Sequence, residues 1–174
     1  TDSTDKVAYL ANYYGSKQYY YDTADFQPGG ILKFKGDSIK GGIYSIILSD
    51  KKSYFEFVVN EPKVDMETKG PEFVKNMKVK TSNENKLFYE YLTFIEVQSK
   101  KAEALQKEIE AATEENKAKP QEELGKIDKE VIAYKKNFMA TYPTLLTSKV
   151  FAASAEPEVP EYTEIEDKDA RQRK

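Results

Sequence analysis

Over the first eighty residues, apolar and aromatic side chains alternate with polar ones in short runs that turn residues bring to an end. Residues 7–14 form the first run, ended by Gly15-Ser16, and residues 18–26 the second, ended by Pro28-Gly29-Gly30. In residues 31–35, Leu32 and Phe34 fall on one face and Lys33 and Lys35 on the other. Gly41-Gly42 opens residues 43–48, and the short polar stretch 49–52 joins them to residues 54–60, which reads as a β-hairpin. In that second arm Phe55, Phe57 and Val59 face one way, and Tyr54, Glu56 and Asn60 the other. Residues 64–68 and 73–79 are weaker strand candidates. Short strands at about ten-residue spacing predict an antiparallel sheet of about six or seven strands, folded as a sandwich.

After Lys80 the period lengthens to that of a helix. Ser82 is suited to cap a first turn, because its hydroxyl can accept an otherwise unpaired backbone N–H. Phe88, Tyr91, Ile95, Ala102, Leu105, Ile109 and Ala112 then recur mostly at steps of three and four, the signature of one helical stripe. Lys119-Pro120 interrupts the stripe. Proline suits the first turn of a new helix, and Glu122 and Glu123 favour the positive end of its dipole. Leu124, Ile127, Val131, Tyr134, Phe138 and Tyr142 carry the pattern on, which predicts an antiparallel helical hairpin. Pro143 stops the second helix, and residues 144–155 predict a further short one. The expected class is therefore α+β. It comprises a β-rich half over residues 1–81, a helical hairpin plus short helix over 82–155, and an acidic, proline-punctuated polar linker over 156–174.

Composition narrows the chemistry. The 174 residues contain no Cys, no His and no Trp. Disulfides, thiolate nucleophiles and zinc–thiolate sites are excluded, and the commonest general base is missing. Any catalysis would rest on Asp, Glu, Lys, Tyr or Ser. The net charge of −3 gives no electrostatic case for nucleic acid. No apolar run approaches the roughly 20 residues that cross a bilayer, and Thr1 opens no signal peptide, as in a mature form or an excised piece.

Few motifs withstand scrutiny. Ser49-Asp50-Lys51-Lys52 matches Ser-x-x-Lys, but acyl transfer needs that pair on one helical face, and here it falls in a hairpin loop. Asp22, Thr23 and Asp25 could mark a carboxylate site, or simply a turn in which aspartate and threonine side chains bond nearby backbone N–H groups. Glu108, Glu110, Glu114 and Glu115 lack calcium-loop spacing, and the paired glycines lack the strand–glycine–helix order of a phosphate loop. No catalytic residue, metal ligand or cofactor is expected. One cluster remains: Tyr13, Tyr14, Tyr19, Tyr20 and Tyr21, with Asp22 beside them, lie on two adjacent predicted strands. Alternation sends some of them to each face, and those facing outward could form an aromatic platform for sugars, peptides or another domain. Tyrosine's high strand propensity accounts for the same residues without a ligand.

The order and spacing of several groups resemble the N-terminal module found ahead of thioredoxin-like domains in exported proteins of Gram-negative gut-type bacteria. The groups are Tyr9-Leu10-Ala11 with Tyr13-Tyr14-Gly15, Asp22-Thr23, Gly30 with Phe34 and Gly36, and Gly42-Ile43-Tyr44. Phe55-Glu56-Phe57, Asn76-Met77 with Lys80, and Ser82, Asn85, Phe88 and Tyr91 follow. Tyr142-Pro143 before Leu145-Leu146, with Pro157 and Pro160, completes a likeness spanning most of residues 1–165. The resemblance implies a non-catalytic accessory domain, acting in binding or dimerisation, of an envelope thiol–disulfide oxidoreductase. It implies a downstream thioredoxin-like domain of the same polypeptide as partner, a homodimer as an expectation, and a location in the periplasm or at a lipid anchor upstream. It also implies an opening strand before Thr1. The family's Cys-x-x-Cys site has no counterpart here, so no catalytic residue carries over. A free-standing carbohydrate- or peptide-binding module is the alternative, and an enzyme resting on Asp22 or Ser49 the third.

Overall fold

A computed structural model describes residues 6–14, 17–36 and 39–155. The class is α+β, with antiparallel sheets followed by helices. Strands β1 (Val7–Tyr14), β2 (Lys17–Asp25), β3 (Gly42–Leu48) and β4 (Tyr54–Val59) make one sheet in the order β2-β1-β3-β4. Strands β5 (Asp65–Glu67) and β6 (Lys78–Thr81) make a two-stranded ribbon. Helices α1 (Asn83–Ala111), α2 (Ala118–Thr141) and α3 (Leu146–Ser154) follow, with one 3-10 turn at Glu114–Asn116 between the first two.

The described strands split four and two, so the expected sandwich of six or seven strands is not formed. Residues 31–35 supply no strand. Gly29 (φ 82°) and Gly30 (φ 72°) turn the chain sharply, a conformation that suits glycine, and only an isolated Gln27–Ile31 bridge follows. Leu32 and Phe34 still alternate inward, but as loop side chains. With Phe26 and Ile39 they cover the sheet face that a second sheet would have covered. That face carries the first core, formed by Ala8 and Leu10 of β1, Tyr44 and Ile46 of β3, and Phe57 of β4.

The opposite face carries Tyr9, Ala11 and Tyr13 of β1, Ser45 and Ile47 of β3, and Tyr54, Glu56 and Val58 of β4, as the strand registers require. Val58 there packs with Phe88 and Tyr89 of α1 into a second core. The start of α1 is pinned by side chains. Ser82 is the N-cap, its hydroxyl accepting from the Asn85 N–H (3.1 Å) at an unusual φ of 91°. The Glu61 carboxylate accepts from the N–H groups of Asn83 and Glu84. The Asn85 amide accepts from the Val58 N–H (2.7 Å) and donates to the Val58 carbonyl (2.7 Å), while the Tyr89 hydroxyl donates to the Glu56 carbonyl (2.6 Å). Asn85 and Tyr89 sit one helical turn apart, and Glu56 and Val58 one strand repeat apart. The helix thereby closes the outer edge of β4, where free backbone groups would otherwise invite another strand.

Glu84, 1% exposed, performs a second closure. Its carboxylate accepts from the Thr147 N–H (2.7 Å) and hydroxyl (3.0 Å) at the start of α3, and from the Asn60 amide (2.7 Å). Negative charge at the N-terminal end of both helices suits their dipoles. Along α1 and α2, Phe94 stacks on Tyr134 (4.4 Å) and Gln98 donates to Glu130 (2.8 Å), so partners descend α2 as they ascend α1. Phe151 of α3 meets both Tyr91 and Phe138, joining the three helices through rings. Pro120 lies in the first turn of α2, where its missing N–H costs nothing, and α2 stops before Pro143. The linker 156–174 lies outside the described residues.

Candidate functional site

Of the sequence-predicted tyrosines, the structure brings only some together. β1 and β2 are neighbours, and their register sets Gln18 opposite Tyr13, Tyr20 opposite Ala11 and Thr23 opposite Tyr9. Tyr13 and Tyr20 therefore share a face with Tyr9, whereas Tyr19, opposite Asn12, points to the other side. The register slips between Leu10 and Ala11, leaving Tyr21 as the unmatched residue of a bulge, and its ring meets the buried Tyr44 ring edge-on at 6.0 Å. The four described side chains of the cluster thus divide between two faces, Tyr13 and Tyr20 on one and Tyr19 and Tyr21 on the other. Tyr14 pairs with Lys17 in backbone register, and its side chain is outside the described set. Asp22 sits inside β2, not in a turn, and its carboxylate accepts from the next residue's N–H (2.7 Å).

The face holding Tyr13 and Tyr20 is the better-built one. Tyr9 and Tyr20 rings lie 5.2 Å apart, with the Lys51 ammonium 5.9 Å from the Tyr9 ring centre. Across β3 stands Tyr54. Between the rings lie the small buried side chains of Ala11 and Ser45, and Gln18 donates to the Ser45 hydroxyl (2.8 Å). Tyr20 is 61% exposed and Tyr54 55%, large values for aromatic side chains in a sheet. The Tyr13 hydroxyl is held above its ordinary pKa, first by burial and then by the Glu56 carboxylate beside it. It stays a donor at neutral pH. The face therefore offers flat apolar rings around a few hydrogen-bonding groups, which suits a ligand with both apolar faces and hydroxyl or amide edges. Beyond Tyr54 the surface dips into an open hollow of about 340 Å³ lined by Pro71, Glu72, Phe73, Val74 and Glu96. Both of its carboxylates are already paired, Glu72 with Lys75 and Glu96 with Lys100.

Tyr9, Tyr54 and Phe73 were not among the sequence-predicted residues. The alternation that sets Tyr54 apart from Phe55 is visible in the sequence, but the strand order that lays Tyr54 across β3 from Tyr9 is not.

The remaining candidates separate from this face. Ser49 and Lys52 lie in the β3–β4 loop, not on a helix. There the Asp50 carboxylate accepts from the N–H groups of Lys52 and Ser53 and from the Ser53 hydroxyl (2.6 Å). The Ser53 hydroxyl, with these backbone bonds, holds Asp50 below the usual carboxylate range. This loop is a self-bonded turn without the geometry of acyl transfer. Among the described residues no group of three or more acidic side chains could hold a metal ion, and no helix is long and apolar enough to cross a membrane. Compared with family profiles, with curated proteins and with solved structures, the chain matches none of them.

Proposed function

We propose that this chain is a non-catalytic accessory domain that holds a partner, within an envelope thioredoxin-like thiol–disulfide oxidoreductase whose redox cysteines lie on another domain of the same polypeptide. Two things support this reading: the order of motifs from Tyr9-Leu10-Ala11 to Tyr142-Pro143, and a chain with neither Cys nor His. The observation that carries it is the exposed tyrosine face, with Tyr20 and Tyr54 more than half open to solvent beside Tyr9 and Tyr13. An aromatic face of this kind contributes contact area at small conformational cost. Tethering it beside a redox site would raise the local concentration of whatever it holds. The gene gives the first test, because a reading frame encoding no Cys-x-x-Cys downstream would sink the oxidoreductase assignment. The second is titration of the chain with the thioredoxin-like domain encoded beside it, followed by amide shifts. Shifts confined to residues around Tyr9, Tyr20 and Tyr54 are expected, and are lost in Tyr20→Ala/Tyr54→Ala.

The same rings favour a second reading, a carbohydrate- or peptide-binding module of the bacterial envelope. The chain has no Trp to mask tyrosine fluorescence, and the difference between wild type and Tyr20→Ala/Tyr54→Ala isolates this surface's share of the signal. Saturable quenching by oligosaccharides, absent in the double variant, supports it, and a flat titration at millimolar ligand removes it.

A further inference from the structure

The two edges of the four-stranded sheet are treated differently. At β4 the Glu56 carbonyl is taken by Tyr89, and the N–H and carbonyl of Val58 by Asn85. β2, at the other edge, is nine residues long, and eight of its residues are exposed. Its backbone alternates in direction. The Phe26 N–H just past its end bonds inward to Lys6 (3.0 Å), whereas the Thr23 N–H donates to the neighbouring Asp22 carboxylate (2.7 Å). From this asymmetry we infer that β2 is a dimerisation edge and that its occupant is the β2 strand of a second copy, paired antiparallel. The inference specifies the dimerisation part of the proposed function but does not depend on the oxidoreductase assignment.

Charge selects the occupant and the direction. β2 begins at Lys17 and carries Asp22 and Asp25 in its second half. Antiparallel self-pairing runs the basic end of each strand along the acidic half of the other, and parallel pairing would oppose like charges. Sheet faces must also match across the new pair. Gln18 and Thr23 lie on the tyrosine face, Tyr19 and Asp22 on the other, because the bulge at Tyr21 inverts the alternation. A twofold axis between Tyr20 and Tyr21 satisfies this. Gln18 then faces Thr23, Tyr19 faces Asp22, and Lys17 faces Ala24 with the partner's Asp22 as its diagonal neighbour. The Thr23 N–H passes to the partner strand and frees the Asp22 carboxylate for that lysine. A molecule with one open edge and one closed edge makes a closed twofold dimer, not a fibre. The dimer joins two tyrosine faces into one surface eight strands wide.

Sedimentation of the whole chain from micromolar to millimolar concentration at low salt tests this. Lys17→Glu and Asp22→Lys each place like charges together at two symmetric positions and should weaken the dimer roughly tenfold, and the Lys17→Glu/Asp22→Lys double variant should regain it. Both side chains are exposed, and circular dichroism checks that each variant folds. A wild-type chain monomeric throughout overturns the inference, including one whose β2 amides are protected from exchange by another segment of the same molecule. So does a dimer indifferent to both single variants, or one that the double variant fails to restore.

Discussion

The closure of the β4 edge by Asn85 can be tested to a stated magnitude. Asn85 is fully buried and Val58 is 1% exposed. Asn85→Ala removes the partner of the Val58 N–H and of the Val58 carbonyl, and leaves the Ser82 hydroxyl without its bond to the amide (2.8 Å). Each buried backbone group left unpaired costs roughly 1–3 kcal/mol, so the loss should be about 3 kcal/mol, a large part of the typical stability of a domain. For a chain of this size the melting temperature should fall by roughly 6–12 °C. Tyr89→Phe removes only the bond to the Glu56 carbonyl and should cost about 1 kcal/mol. Asn85→Asp is the discriminating variant. It keeps the acceptor for the Val58 N–H but sets a carboxylate oxygen against the Val58 carbonyl, so near neutral pH it should be worse than Asn85→Ala. That carboxyl is raised in the folded state, so its stability is fullest below the unfolded value of about 4 and is lost as pH rises through the folded one. The Asp variant should therefore recover towards acid pH relative to Ala. Urea midpoints at constant slope give the energies, and amide exchange at Val58 localises the effect. An Asn85→Ala loss under about 1 kcal/mol, or unchanged exchange at Val58, would refute the edge-closure argument.

Further outcomes follow from the same region. Glu84→Ala strands the Asn60 and Thr147 donors and should cost roughly 3 kcal/mol. Glu84→Gln should cost about 1, because one oxygen still serves Thr147 and the Asn60 amide can turn over to accept, and equal losses in thermal melts would contradict this. At Ser82, with φ of 91°, Ser82→Ala loses the cap and keeps the strain, whereas glycine relieves the strain. Melting should rank wild type above or near Ser82→Gly, with Ser82→Ala lowest by about 1–2 kcal/mol. Burial, followed by Glu56, pushes the Tyr89 hydroxyl far above its ordinary value. Its contribution is whole below the unfolded pKa of about 10 and is lost as pH climbs beyond it. Alkaline unfolding followed by tyrosinate absorbance should therefore be less steep in Tyr89→Phe, and identical profiles would count against the assignment.

Local pattern carried much of the fold. The period of two found β1 and β4 almost residue for residue, and the serine-capped, proline-bounded stripes found the helices. What it could not supply was partnership. Residues 31–35 alternate as a strand does, yet β1 and β3 are already paired on both sides and the glycine turn leads the segment across the face instead of along an edge. Tyr89 falls off the predicted stripe of α1 and is buried against β4 all the same, while Gln98 fills the stripe's one polar position, between Ile95 and Ala102, and is buried against α2. Of the polar residues that organise the junction, Ser82 was legible as a cap, whereas the partners of Asn85 and Glu84 were the least visible. Asn85 meets Val58 across 27 residues of chain and Glu84 meets Thr147 across 63, so nothing local distinguishes either from the solvated acids and amides around it. In the tyrosine cluster, alternation foretold a division between faces. The bulge at Tyr21 and the placement of Tyr54 decided which ring went where.

The clasp between Glu84 and Thr147 has an implication for how this chain tolerates change in length. The sixty-three positions separating them depart from and return to a single buried carboxylate. Whatever happens at the far tip, near the turn at Glu114–Asn116, is mechanically remote from that anchor. Excising matched whole turns from both limbs should preserve the docking of α3, since closing a shorter loop changes the entropy only slowly with length. The protrusion is thus an adjustable spacer whose reach can be reset by insertion or deletion without rewriting its base.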